Sequence, residues 1–293
     1  LVPGLEVETI ESSCCGMAGA FGYQRETYDI SLKMAEAALL PAVRAADAAT
    51  LVVADGFSCR CQISHGAKRE ALHVAQVLQR QHIKVTFFAA QEPTQEGDGS
   101  LGTHWAAWWR ARAAEGHVLA SHTLDHLYWR RDLPNERFEV RATSGPFKGR
   151  TRVMDAAQYC AEIKRGSERL QQITGVAPVP LYRAPGGKTS PALLAAARQC
   201  GYLHVGWSPA GFLGDELPSD RYPNDQLLAR ALRDIRPGDV LMAHLGIWSR
   251  KDPWAPADLE PLITGLERKG FCFATLRDHP QYKAWFAAHP AAR

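Results

Sequence analysis

Apolar positions along the chain fall into two rhythms that alternate over most of its length. Ile83 to Ala89 is β-branched or aromatic with few polar breaks, which predicts a strand buried on both faces. His104 to Glu115 then carries Trp105, Trp108 and Trp109 at i, i+3 and i+4, a helical stripe of the kind that usually joins a core. A short apolar run, Val118 to Ala120, follows. Met154 to Thr174 reads as a helix through Cys160, Ile163, Leu170 and Ile173, stopped by Gly175 and Pro178. Ser190-Pro191 supplies an N-cap and a first-turn proline for a helix ending at Gly201. Tyr202 to Trp207, Val240 to His244 and Phe271 to Leu276 read as strands; Asn224 to Ile235 and Pro256 to Lys269 read as helices. This alternation predicts βα units around a parallel sheet or barrel. Glu92 to Gly102 and Pro209 to Tyr222 are loops. Arg130 to Arg152 shows no clear period and reads as a long insertion over the strand-end face, a lip for substrate.

Residues 1–80 have a different texture. Cys14-Cys15-Gly16 opens a Gly- and Cys-rich stretch, followed by a helical pattern from Ser31 to Ala46. Thr50 to Gly56 is a strand running into a turn, Ser58 to His65 a loop, and Lys68 to Gln81 a helix with Leu72, Ala75 and Leu78 on one face. The expected organisation is a small, mostly helical segment over 1–80, its last strand and helix donated to a larger α/β body over 81–293.

Three apolar runs end in residues with useful chemistry: His122 with His126, then Arg183, then His244. Two imidazoles four residues apart can reach one metal ion from a single turn of chain. In parallel α/β folds the strand carboxyl ends gather on one face and build the site there.

Ser121-His122-Thr123-Leu124-Asp125-His126 resembles the His-Ser/Thr-x-x-His metal motif of polysaccharide deacetylases, the NodB-homology family. Lys84-Val85-Thr86-Phe87-Phe88 is similar to the strand preceding that motif, and Arg183-Ala184-Pro185-Gly186 resembles Arg-x-Pro-x-Gly. The resemblance covers residues 81–293. It implies an irregular (β/α) barrel, a divalent metal (zinc first, with cobalt, nickel or manganese as alternatives) and removal of N-acetyl or similar acyl groups from a carbohydrate. It assigns His122, His126 and Asp55 to the metal and His244 to general acid catalysis. Arg183 would orient the base, and Trp207, Met242 and Pro185 would contact the substrate. The family's Thr-Phe-Asp-Asp-Gly stands here as Val52-Val53-Ala54-Asp55-Gly56, with Ala54 in the base's place. Turnover is therefore expected to be impaired. A non-catalytic sugar- or metal-binding descendant is the second reading.

Cys-Cys-Gly and Ala54-Asp55-Gly56-Phe57-Ser58-Cys59 resemble the C-terminal end of FAD-linked oxidases with an iron–sulfur subunit. On that likeness Cys14, Cys15, Cys59 and Cys61 would supply four thiolates for a redox cluster; otherwise they are free thiols in a remnant. With 293 residues, 46% hydrophobic and 22% charged, the chain has an ordinary globular composition. A formal charge of +3 without a basic stripe gives no reason to expect nucleic acid, and no apolar run is long enough for a membrane span. The opening residues lack a signal-peptide pattern, and seven cysteines show no regular framework. The expected setting is reducing and cytoplasmic.

Overall fold

The computed structural model describes residues 10, 14–17, 21–48, 50–54, 57–72, 83–94, 97–245, 250 and 254–289. They group into two compact units: Leu1–His82 with Trp207–Cys272, and Ile83–Gly206 with Phe273–Arg293.

In the first unit the helix expected over 31–46 is two helices, α1 (Tyr28–Glu36) and α2 (Leu39–Ala45). Restarting at Leu39 places Pro41 in a first turn, where its missing N–H is not needed. Strand β1 (Val52–Val53) pairs in parallel with a second short strand, and the connection expected as a loop is helix α3 (Phe57–Ala67). The partner strand is β2 (Ala71–Leu72), where the sequence pattern predicts helix; residues 73–81 of that predicted helix lie outside the described residues. Leu39, Val43, Ile63 and Ala71 form the local core, with Cys15, Val52 and Ala54 packed against it. Arg69 donates to the carbonyls of Val43, Ala46, Asp47 and Thr50, answering the unpaired end of α2. Later in this unit the helices Asn224–Asp234 and Leu259–Arg268 form as expected. Val240 to His244 does not become a strand; Met242 makes a single parallel bridge to Phe212. Residues 271–275, also expected as strand, carry no ladder. An apolar run becomes a strand only where a neighbour presents matching backbone groups.

The second unit holds a parallel sheet. Its first strand, β3 (Thr86–Ala89), is followed by helix α4 (Ala106–Ala114) and strand β4 (Val118–Ser121), paired in register from Thr86↔Val118 to Ala89↔Ser121. Phe87 lies edge-on to Trp108 and Trp109, centroids 5.8 and 5.9 Å away, so the tryptophan stripe is core as predicted. The expected loop over 130–152 is instead an antiparallel meander of β5 (Leu127–Leu133), β6 (Arg137–Ala142) and β7 (Thr151–Asp155). Its inner face is Phe138, Val140 and Ala142, each at most 1% exposed, while Arg131 pairs with Glu139 outside. Each large apolar side chain buried there contributes on the order of 1.5–3 kcal/mol. Helix α5 (Ala156–Thr174) starts on a capping box between Asp155 and Gln158 and stops at Gly175, φ 75°. Strand β8 (Leu181–Tyr182), helix α6 (Pro191–Gln199, capped by Ser190) and strand β9 (Leu203–His204) complete the sheet order β3-β4-β8-β9. The α/β class predicted from the alternation is present. No described helix is long and apolar enough to cross a membrane.

Cys160 of α5 and Cys200 at the end of α6 form a disulfide that closes a separation of 40 residues. The irregular cysteine spacing concealed it. Chain entropy assigns such a loop about 4 kcal/mol. Cys160→Ser or Cys200→Ser is expected to lower unfolding free energy by about 2–4 kcal/mol in urea titrations, and an unchanged midpoint would refute it.

Burial, with Arg183 nearby, pushes His204 down to about 4. The folded chain therefore keeps it neutral, whereas the unfolded chain protonates it near the ordinary value of about 6.5. The stability this gives is complete above about pH 6.5, falls with pH, and is lost below about 4, a swing of at most about 3 kcal/mol. Wild type minus His204→Phe, measured by urea unfolding at pH 7 and pH 4.5, isolates that slope.

Candidate functional site

The loop after β4 is held from four sides. His122 N–H donates to Ala89 O, extending the β3–β4 ladder by one bond. Ser121 Oγ donates to Ile163 O at 2.8 Å and accepts from Thr123 N–H, and Thr123 Oγ1 accepts from Leu127 N–H at 2.9 Å. Leu124 N–H donates to Glu162 O on α5. That helix runs so close that a Cβ on Gly166 would lie 2.4 Å from Ser121 Oγ. Thr123 and His126 sit at φ 60° and 50°, a left-handed backbone that costs roughly 1–2 kcal/mol per non-glycine residue. Strain of that kind, over-determined by its surroundings, gathers at functional sites.

The loop brings His122 and His126 together, with ring centroids 4.8 Å apart. His122 Nδ1 lies 2.7 Å from the carbonyl oxygen of Arg183, and His126 Nδ1 meets Thr143 Oγ1. A carbonyl only accepts, so His122 carries its proton on Nδ1 and its lone pair on Nε2. Metal-ligating histidines are generally oriented this way. Thr143 completes a small cycle by donating to His126 O, and Glu92 Oε1 is 3.4 Å from His126 Nδ1. Asp125, the neighbour of His126 in sequence, turns elsewhere. It is 3% exposed beside Glu162 at 4%, with Arg165 bridging both. Burial raises both carboxyls above their ordinary values, against the pull of Arg165.

Arg183 serves His122 through its backbone. Its guanidinium donates to the carbonyls of Val205 and Gly206 and lies 4.3 Å from the Phe88 ring centre. Burial lowers its pKa to about 10, which leaves it protonated at neutral pH. Pro185, buried, opens a 3₁₀ turn in which Gly186 takes φ 63°; a Cβ there would meet Tyr128 at 2.4 Å. Tyr128 in turn stands edge-on to His126, 5.2 Å between centroids.

His244, in the first unit, has its own partner. Asp215, 2% exposed, accepts from the His244 backbone N–H and lies 3.1 Å from its Nδ1, while Glu216 is 3.8 Å from Nε2. Asp215 is distant from Trp207 in sequence; the loop between them carries it onto the histidine. Trp207 stacks on Phe212 at 6.2 Å, and Met242 is 4% exposed. Asp55 lies outside the described residues. Among the described residues no three His, Cys, Asp or Glu side chains are grouped to hold a metal. For a divalent cation, the paired imidazoles with Nδ1 engaged fit as two of its ligands.

The fold is thus an α/β one with a strained di-histidine loop at a strand's carboxyl end. Residues 65–205 match the polysaccharide deacetylase family. A peptidoglycan-N-acetylglucosamine deacetylase of Bacillus cereus is 24% identical over 172 residues, 58% of this chain and 66% of that protein. A family 4 acetyl xylan esterase from Clostridium thermocellum, solved with a cobalt ion, superposes with TM-score 0.50 at 20% identity, over 73% of this chain and 82% of the other. The Xyl-CE4 domain of a xylanase from the hindgut metagenome of Trinervitermes trinervoides gives 0.51 at 18% identity, over 72% and 83%. A separate likeness, 35% identity over 74 residues, is to one component of the anaerobic glycerol-3-phosphate dehydrogenase of Escherichia coli. It spans 25% of this chain and 18% of that component.

Thr143 has no counterpart in the motifs legible from sequence. Thr143→Val, which keeps the shape and removes the hydroxyl, should weaken Co²⁺ binding about 10–100-fold. Thr143→Ser should restore it. Equal affinities in chelator competition would show that the hydroxyl does not orient His126.

Proposed function

We propose that the chain is a metal-dependent carbohydrate deacetylase, acting on N-acetyl or similar acyl groups. The observation that carries this is the His122–His126 pair, with one Nδ1 on the Arg183 carbonyl and the other on Thr143. Bound between these rings, a divalent cation, zinc by ligand type or cobalt or nickel, would polarise the acyl carbonyl and acidify a water. His122 and His126 present their Nε2 lone pairs to it, and Asp55 is assigned as the third ligand. Asp215 accepts from the Nδ1–H of His244, which leaves Nε2 as the nitrogen that takes up and delivers a proton. That suits His244 to give a proton from Nε2 to the departing nitrogen. Removing an acyl group from nitrogen needs that acid, because an amide anion is a poor leaving group.

Ala54 supports a second reading, a descendant that binds metal or sugar with little turnover. A carboxylate at that position would be the general base, worth about 10²–10⁴ in rate.

Both readings meet in one experiment. Acetate release from an N-acetylated glucosamine oligomer is measured with Zn²⁺ or Co²⁺ for wild type, His122→Ala, His126→Ala and Ala54→Asp. The deacetylase reading expects slow release, lost with about one equivalent of metal in each histidine variant, and a rise of about tenfold or more in Ala54→Asp. Metal retained by both alanine variants would end it. Metal binding without release in wild type and Ala54→Asp would favour the second reading.

A further inference from the structure

The meander β5–β6–β7 gives Thr143 to the di-histidine loop, yet most of its surface has no part in that contact, and its charge is laid out unevenly. Leu127 to Asp155 holds seven arginines and lysines against four carboxylates, a surplus of three that equals the formal charge of the whole chain. The ladder fixes where each charge falls. The far end pairs Leu133 with Arg137 and Arg137 with Asp155; the near end, which runs into His126, pairs Tyr128 with Arg141 and Arg141 with Thr151. The four acids fall toward the far end, and three of them are engaged. Asp132 accepts from Trp129 Nε1 and Ser190 Oγ, Glu139 pairs with Arg131, and Asp155 caps α5. The fourth, Glu136, sits in the turn between β5 and β6.

The near end is cationic. Phe138, Val140 and Ala142 point inward, so Arg141 points outward beside its cross-strand partner Tyr128, their Cβ atoms about 5 Å apart. Lys188, after the 3₁₀ turn at Pro185, places Nζ 5.9 Å from the Tyr128 ring centre. That ring is 5.2 Å from the His126 ring. Two exposed cations thus flank the aromatic ring that touches the di-histidine loop, and among the described residues neither pairs with a carboxylate. Glu92 approaches His126 Nδ1 at 3.4 Å and is taken up there. Like charges gathered without a counter-ion repel one another and raise the local concentration of anions.

We propose that the substrate is an acidic glycan, and that Arg141 and Lys188 bind a carboxylate on the sugar beside the acylated one. This rests on the deacetylase reading, which puts the acyl group at His122 and His126. From the His126 ring through Tyr128 to Lys188 is two contacts, of 5.2 and 5.9 Å, a span that a disaccharide covers. The planar fork of an arginine takes a carboxylate through two parallel hydrogen bonds, and the lysine adds a point charge. A neutral sugar gains nothing from either.

The test uses the full chain with Zn²⁺ present and two tetrasaccharides, one alternating N-acetylglucosamine with glucuronate, the other N-acetylglucosamine throughout. By titration calorimetry at low ionic strength the acidic sugar should bind about five- to tenfold more tightly, a preference that salt at about 1 M removes. In Arg141→Gln/Lys188→Gln the ratio should fall to about one. Arg131→Gln/Arg137→Gln, which removes the same charge from the far end, should keep it. Equal wild-type affinities, no binding of either sugar, or a preference lost equally in both double variants overturns the proposal; the wild-type ratio decides it even where a variant folds poorly. Acetate release is read separately. Acidic preference with no release from either sugar would end the deacetylase reading alone, and release from the neutral sugar with equal affinities would end this proposal alone.

Discussion

The carbonyl of Arg183 lies 2.7 Å from Nδ1 of His122, and that contact depends on the parallel pairing beneath it. Ser121 of β4 faces Tyr182 of β8, and Arg183 N–H donates to Ser121 O. The next residue on each strand then presents, on one side, an imidazole and, on the other, a carbonyl with a lone pair to accept from it. A slip of one residue would turn His122 to the other face and remove the acceptor. The tautomer of a candidate ligand is thus set by strand register. The guanidinium of Arg183, turned to Val205, Gly206 and Phe88, anchors the same segment from behind.

Beneath the loop the electrostatics are arranged differently. Asp125 and Glu162 are two carboxyls taken out of water side by side, with Arg165, half in solvent, close to both and Arg152 also acting on Asp125. Burial raises both pKa values, and their mutual repulsion adds to the rise at Glu162. Gly145, at φ 70°, leaves room for the Asp125 carboxylate where any Cβ would collide with it. The meander that ends at β7 thus supplies Thr143 to one histidine and Gly145 to the acid beside it.

In the first unit the same residue type, glycine after cysteine, does comparable work on sulfur. Gly16 buries Met17 and turns an amide toward Cys14, while Ala54 follows β1 and packs against the local core.

Local rules already determined much of this protein. Ser190 with Pro191, the Gly175 stop, the tryptophan stripe and the 122/126 spacing each follow from one turn of backbone or one helical period, so they could be read without coordinates. Arg137 to Ala142 alternates polar and apolar residues, but the charges around it hid the pattern and the segment read as a loop. Other features needed the tertiary structure because their partners are distant in sequence. Thr143 reaches His126 across 17 residues, Asp215 reaches His244 across 29, and Cys160 reaches Cys200 across 40. Val240 to His244 failed as a strand for the same reason: an apolar run specifies burial, while a ladder requires a neighbour's backbone, and only the packed chain decides which neighbour is there.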